Sequence, residues 1–366
     1  MSTTSSQTRS GSWGWLSRPV DKLILWIVAH GLGLILAVFM GLFGRERMSH
    51  NNGIAATGRL RIVDDQEFPA HDFFAPGREF PVRIRHATAT FYDDAMNGIR
   101  SMSLKFSHGH FKSPFDIEMN TGETSLFWSA ASFIKFARLR QEKYGVEYCK
   151  YYRKYPEGLS GAQISLRRNP TSFHTLLYYC KTPFLFIGND GVRRYAKYRC
   201  RPLENEAETG ICHDLTQFNT CNQRILPNET RGRNYLKYEY EERVRRGPVR
   251  YVMEIQVRDA TENEDPEVFN NMVPWDDSDY PWTPLAEIEI DHVLDWTGSN
   301  MTSFSLRNMP DSLGMIPAES IYDYNSLNYL RAHSEIARKA RILSYKIFGA
   351  PKSIPNNDHR NSSTIG

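Results

Sequence analysis

RMSHNNGIAATGRLRIV, residues 47–63, sets an arginine and a histidine three residues apart, then a Gly-containing turn, then alternating basic and apolar residues. The alternation over residues 59–63 is the period-2 signature of a strand with one buried face. The stretch begins only a few residues after the one long apolar segment of the chain. A histidine beside the turn that launches the first strand is a natural centre for chemistry, so His50 is the first candidate site residue.

Working outward, residues 80–85 and 101–106 alternate in the same way, and further strands read at 192–201, 249–257 and 285–290. Helical stretches fall at 130–143, 170–180 and 234–246. The spacing predicts a last long helix over 324–348, with Leu327, Leu330, Ile336, Ala340 and Leu343 along one face. Gly349 and Pro351 then stop it. Many strands with antiparallel spacing, flanked by helices, predict an α+β fold with an antiparallel β-barrel core.

A chain of 366 residues can bury a sizeable core, and its net charge of +3 gives no electrostatic case for nucleic acid. Cys149, Cys180, Cys200, Cys212 and Cys221 lack CxxC spacing, which argues against a zinc site and for a reducing compartment. Glycosylation tripeptides at Asn228, Asn300 and Asn361 point the other way. Residues 1–20, rich in Ser and Thr, are expected to be disordered, as is the tail 350–366. Between Leu23 and Phe43 the only strongly polar residue is His30. At about 1.5 Å per residue this length suits a bilayer, so residues 21–43 are expected to form a transmembrane or membrane-anchoring helix. Gly31, Gly33 and Gly41 weaken it as a free-standing span, and a buried or surface-lying helix is the alternative. Basic residues on its two sides nearly balance, with a lean towards a cytosolic main domain over 44–349.

Asp93-Asp94 and Asp276-Asp277 sit beside turn-forming residues and read as turn and cap chemistry. LKYEYEERVRR reads as a solvated helix face with i,i+4 ion pairs. No GxGxxG, P-loop, HExxH or GxSxG occurs, so nucleotide, zinc-protease and serine-hydrolase mechanisms lack motif support. Asn120, where DIEMN leaves a strand for a Gly turn, could hold a small polar ligand together with His50. Arg85 at a strand position wants an anion, either a cofactor carboxylate or a protein Asp.

Several long segments carry a resemblance: SHNNGIAATGRLRIVDDQEFPAHDFFAPGREFPVRIRHAT, DIEMNTGETSLFW, RGPVRYVMEIQV and DYNSLNYLR. Through them the chain resembles the catalase-like haem proteins, and most of all the allene oxide synthase domain of corals, over about residues 47–348. The resemblance implies haem b as cofactor, His50 as distal histidine and Asn120 as distal asparagine. It implies Arg47 and Arg85 as partners of the haem propionates, and Phe133 as the residue packing over the haem. Arg331 falls on the arginine that, four residues before the iron-ligating tyrosine, hydrogen-bonds that ligand.

At the tyrosine position itself stands Glu335, while Tyr329 and His333 lie on other faces of the same helix. A carboxylate is anionic, like a tyrosinate, but reaches less far. Glu335 therefore leaves open a weakly ligated haem enzyme, a haem-bound protein with little turnover, or a haem-free lipid-binding descendant. The leading expectation is a membrane-associated haem enzyme that rearranges fatty-acid hydroperoxides, as an allene oxide synthase or hydroperoxide lyase does. His50 and Asn120 would orient the O–O group and Ser49 would fix the His50 tautomer. A catalase acting on hydrogen peroxide is the alternative enzyme. The oligomeric state is not legible.

Overall fold

Nine antiparallel strands organise the chain, in a computed structural model that describes residues 14–45, 47, 49–89, 93–139, 151–152, 154–204, 206–211 and 225–351. They are β1 (Asn52–Ile62), β2 (Glu79–Thr88), β3 (Arg100–Lys105), β4 (Asp116–Thr121), β5 (Tyr178–Tyr179), β6 (Phe184–Ile187), β7 (Arg193–Pro202), β8 (Val249–Asp259) and β9 (Thr283–Val293). The order is β5-β4-β3-β2-β1-β9-β8-β7, and β5 pairs back onto β7 through Tyr178↔Cys200 and Tyr179↔Arg199. That pairing closes an eight-stranded barrel, leaving no free edge in the ring. β6 lies along the other half of β7.

Alternation decides which side chains fill the barrel. Ile54, Ala56, Leu60 and Ile62 of β1 point inward with Val82 and Ile84 of β2 and Ile117 and Met119 of β4. The intervening residues face out, and here the wall divides. Arg59 and Arg61 reach solvent, whereas Gly53, Ala55, Arg83, Arg85 and Ala87 are covered. The cover includes the short helix α5 (Trp296–Met301), whose Ser299 hydroxyl accepts the Ala55 N–H at 3.0 Å. The loop after it is held by a fully buried ion pair, Lys105–Asp116 at 2.8 Å, whose carboxylate also accepts the Ser305 N–H and the Asn308 amide.

The other helices are α1 (Gly14–Leu36), α2 (Ala130–Leu139), α3 (Glu157–Ser165), α4 (Tyr235–Arg246), α6 (Ser326–His333) and α7 (Glu335–Phe348). α1 reaches back into the segment expected to be unstructured and continues as a π-helical stretch, Ala37–Phe43. Residues 1–13 and 352–366, Cys149, Cys212, Cys221, Asn361 and residues 140–143 of the helix expected over 130–143 lie outside the described residues.

Two local expectations are corrected. Residues 170–180 form turns and β5 rather than a helix. The Ser172 hydroxyl accepts the His174 N–H at 2.9 Å, which serves the backbone locally, and two β-prone tyrosines then pair across the barrel seam. The last helix is two helices, interrupted at Ser334, whose hydroxyl donates back to the Arg331 carbonyl at 2.6 Å. Leu327 and Leu330 are buried before the break, but Ile336 and Leu343 after it are exposed.

The second half of α1 and its extension run alongside α6 and α7. Its buried positions are Leu25, Ala29, Gly33, Ala37 and Gly41, every fourth residue and nearly all small. A Cβ at Gly33 would sit 2.9 Å from the His333 carbonyl, and one at Gly41 3.0 Å from the Ala337 carbonyl. A period of four drifts around an α-helix of 3.6 residues per turn. The wider π turn takes more residues per turn and brings Ala37 and Gly41 back to the seam.

Gly33→Leu or Gly41→Leu should overpack this seam at a cost of about 1–3 kcal/mol. A lower urea midpoint and faster proteolysis within α1 would register the change. His86 stacks on Phe173 and has Nε2 3.0 Å from the Tyr251 hydroxyl. Burial, reinforced by His174, depresses its pKa from 6.5 to about 3. The folded value lies below the unfolded one, so the neutral ring contributes stability that is present above pH 6.5 and is lost as pH falls towards 3. Urea titrations across that window should show the loss, and His86→Gln should flatten it.

Candidate functional site

The turn before β1 is stapled by one side chain. Asn51 accepts the Arg47 N–H through Oδ1 at 2.6 Å and donates through Nδ2 to the Arg47 carbonyl at 3.0 Å. Inside this loop His50 adopts φ +61°, a left-handed conformation that a residue with a Cβ adopts only when its surroundings impose it. The Ser49 hydroxyl lies 2.6 Å from His50 Nδ1, so one ring nitrogen is engaged and the ring direction is set.

Three guanidinium groups converge beside this loop. The Arg47 guanidinium donates to the Thr302 carbonyl at 2.6 Å and the Asn300 carbonyl at 3.3 Å. Arg341, from the buried face of α7, donates to the same Asn300 carbonyl at 2.6 Å, and Arg85 of β2 donates to the Asn51 carbonyl at 3.3 Å. The carbonyls at the end of α5 thus serve two of the cations, as a helix C-terminus favours. They do not serve all the donors: among the described residues, Arg47 Nε, Arg85 Nε and Arg341 Nη2 are buried with no hydrogen-bond partner. Burial, then repulsion from Arg341, lowers the Arg85 pKa to about 9. Burial, then Arg341 and Arg85, holds Arg47 well below its ordinary value.

Tyr345 completes the cluster. It is buried four residues after Arg341 on α7, its hydroxyl donates to the Arg45 carbonyl at 3.0 Å, and the Arg341 guanidinium lies 5.1 Å from its ring centroid. Burial lowers the Arg341 pKa, partly offset by the charge and hydrogen bond of Tyr345. Reading the sequence did not single out Arg341 or Tyr345. The available signal was the Arg-x-x-x-Tyr spacing, which occurs here one turn before the helix ends.

The barrel wall next to these groups is nearly flat. Cross-strand register sets Gly53, Ala87, Ser101 and Asn120 in one outward-facing row, and Ala55, Arg85, Ser103 and Glu118 in the next. Gly53 is required: a Cβ there would lie 2.8 Å from the Arg85 guanidinium and 2.4 Å from the His86 carbonyl. The rows give a floor of small side chains bordered by an amide, a carboxylate and a cation.

Of the residues expected at the site, Arg47, Ser49, His50 and Arg85 are therefore brought together, and Asn120 stands on the same face of the wall. Phe133 of α2 packs on Phe127, with ring centroids 5.0 Å apart, and against the cluster of Ala29 and Leu330. Arg331 sits on α6, and its charge acts on Cys180 and Lys181. Glu335 is turned to its own helix, with Oε1 2.6 Å from Arg338 and 3.2 Å from Lys339. Burial raises its pKa, but Lys339, Arg338 and Arg307 outweigh that and hold it below the ordinary carboxylate value. Among the described residues no group of three or more His, Cys, Asp or Glu side chains gathers as a metal site.

The fold is catalase-like. A bacterial catalase superposes with a TM-score of 0.64 at 17% identity, over 85% of this chain and 60% of that one. The chain is a homologue of the allene oxide synthase-lipoxygenase protein of Plexaura homomalla, with 36% identity over 292 residues, 79% of this chain and 27% of that protein. It is also similar to a linolenate 9R-lipoxygenase of Nostoc sp., at 28% identity over 263 residues, 68% of this chain and 32% of that protein. The chain thus spans less than a third of these curated relatives. No family model matches it.

Replacing one of three like charges buried together removes repulsion as well as a hydrogen bond. Arg85→Met is therefore expected to leave the ligand-free protein at least as stable as its parent, as judged by urea denaturation in buffer free of multivalent anions. A loss above about 2 kcal/mol would mean that the bond to the Asn51 carbonyl outweighs the repulsion.

Proposed function

We propose that this chain is a haem-dependent enzyme acting on fatty-acid hydroperoxides, in a rearrangement of the allene oxide synthase or hydroperoxide lyase type. The observation that carries the reading is the cluster of Arg47, Arg85 and Arg341 with Tyr345, next to His50 and its Ser49 partner. The residues present fit the cofactor. Enclosed guanidinium nitrogens without acceptors suit two carboxylates, and the flat floor of Gly53, Ala55, Ala87, Ser101 and Ser103 suits a planar macrocycle.

In this reading Arg47 and Arg85 would hold the propionates, and the Tyr345 hydroxyl would hold the iron. Arg341 stands one turn before this tyrosine, with its guanidinium 5.1 Å from the ring centroid. The arginine–tyrosine spacing expected at Arg331 and position 335 is thus supplied by Arg341 and Tyr345, and Glu335 stays with Arg338 and Lys339. The motive for a haem-free or inactive descendant was the missing tyrosine, and Tyr345 removes it. When bound, haem b supplies the redox chemistry of the O–O bond. His50 handles the hydroperoxide proton through Nε2 while Ser49 engages Nδ1, and Asn120 orients the peroxide oxygens.

The homology to the Plexaura homomalla protein supports a hydroperoxide substrate, and a lipid substrate accords with membrane association through α1. That helix, with its π extension, is long and apolar enough to cross a bilayer, with a mean hydropathy of 2.5 over its most apolar window.

Expression with haem supply followed by visible spectroscopy tests the assignment. Tyr345→Phe should lower haem retention about tenfold or more, and Glu335→Gln should leave it unchanged. The opposite pattern would return the ligand role to Glu335, and absence of a Soret band in the parent would end the haem reading. A panel of fatty-acid hydroperoxides with hydrogen peroxide as control should show preferential turnover of the lipids. His50→Ala should slow that turnover by about 10²–10⁴. Preferential turnover of hydrogen peroxide would identify a catalase instead.

A further inference from the structure

We infer that α1 does not cross the bilayer but lies in its surface, side by side with α7, so that the two helices form one membrane-binding face. The inference rests on the membrane association proposed above and not on the haem chemistry. Its first support is the set of ties between α1 and the folded domain. Lys22 pairs with Glu319 at 2.6 Å, and the His30 and His333 rings meet at 4.5 Å. Gly33 and Gly41 pack on the α6–α7 backbone, and Arg45 donates to the Phe348 carbonyl at 3.2 Å. From His30 to Arg45 the helix and its extension are bound to the same pair of helices, and nearer its start Lys22 is tied to the loop that leads into them. It could span only by drawing α7 into the bilayer beside it. The inner face of α7 holds the buried Arg341, hydrogen-bonded to the loop that covers the barrel.

The second support is what the pair exposes. Away from the seam α1 and its extension present Leu23, Ile24, Ile27, Leu34, Ile35, Phe39 and Phe43 to the outside, with Phe39 65% and Phe43 77% exposed. α7 continues that surface. Ile336, whose Cγ2 borders Gly33, lies on one face with Leu343 and Ile347, 52% and 62% exposed, and Phe348 follows at 69%. A helix that spanned alone would leave no reason for α7 to carry exposed apolar residues in register beside it. Two adjacent helices with a shared apolar face are the geometry of interfacial insertion, where side chains enter the upper acyl region.

The third support is charge. The exposed cations on these elements are Arg18, Lys22, Lys339 and Lys346, against Glu319 and the partly buried Asp21 and Glu335. A basic border around an apolar face complements anionic headgroups. A second copy of the same face brings the same excess of cations and no further acidic groups to complement it. The occupant is therefore a bilayer surface containing anionic lipid. The placement also serves the proposed site, because opposite faces of one helix, α7, carry the membrane residues and the pair Arg341–Tyr345.

Flotation of the purified full chain with sealed vesicles of phosphatidylcholine and phosphatidylserine tests the inference. The parent is expected to float. The α7 pair Leu343→Glu with Ile347→Glu should reduce the floating fraction about tenfold, as should the α1 pair Leu34→Glu with Phe39→Glu. Unchanged circular dichroism and haem content would show that these surface changes leave the fold intact. Protease added outside the vesicles should remove an N-terminal tag and also cut the domain, which places both on one side. If the α7 pair floats like the parent, or if the tag is protected, the helix spans and the inference fails while membrane association stands. If the parent stays with the soluble fraction as a dimer, membrane association fails as well.

Discussion

Three enclosed guanidinium groups, from the turn before β1, from β2 and from α7, converge on backbone carbonyls, two of them on the Asn300 carbonyl and the third on Asn51, and among the described residues no carboxylate joins their hydrogen bonds. Burying one cation is costly, and burying three together adds repulsion at low dielectric. Such a cluster persists where an anion completes it. The surrounding architecture follows from that need. α5 ends where its carbonyls can take two of the cations, Asn51 staples the loop that delivers the first, and Gly53 leaves room for the second. The last helix reaches the barrel because Arg341 joins the same carbonyl as Arg47.

The barrel contributes rigidity and a surface of chosen texture. Its interior is filled by alternate aliphatic and aromatic residues, which frees the outward positions of β1, β2 and β3 to be small. A closed ring holds those rows in register, so Arg85 and Asn120 stand at set positions across the same floor. The buried Lys105–Asp116 pair extends that order to the covering loop, because one carboxylate gathers a lysine, a backbone N–H and an asparagine. Breaking it would leave a buried charge without its counter-ion and weaken the anchor of the loop.

α1 links two problems that the sequence poses separately. Its period-four stripe of small residues lets a strongly apolar helix dock closely on α6 and α7, which explains Gly33 and Gly41 within a segment of membrane-like length. The same docking leaves the large apolar side chains on the far side. A glycine pattern that weakens a lone span is thus the pattern that makes a good seam.

The amino-acid sequence by itself determined the strands, because period-2 alternation is a local consequence of backbone geometry, and it determined the loop carrying Arg47, Ser49 and His50. Its long matching segments also pointed to the catalase-like fold. It failed at residues 170–180, where a strand of two residues has meaning only as the closure of a barrel. It failed again at the last helix, where helical periodicity ran through Ser334 without sensing the hydroxyl that interrupts it. That continuity drew attention to Arg331 and Glu335, although the same spacing recurs at Arg341 and Tyr345. Two arginines of one helical run look alike in the sequence, and which of them packs against the barrel wall is not a local property. Only the tertiary structure decided that Arg341 does, because the acceptors and like charges that surround it come from α5, β2 and the turn before β1, segments up to about three hundred residues away along the chain.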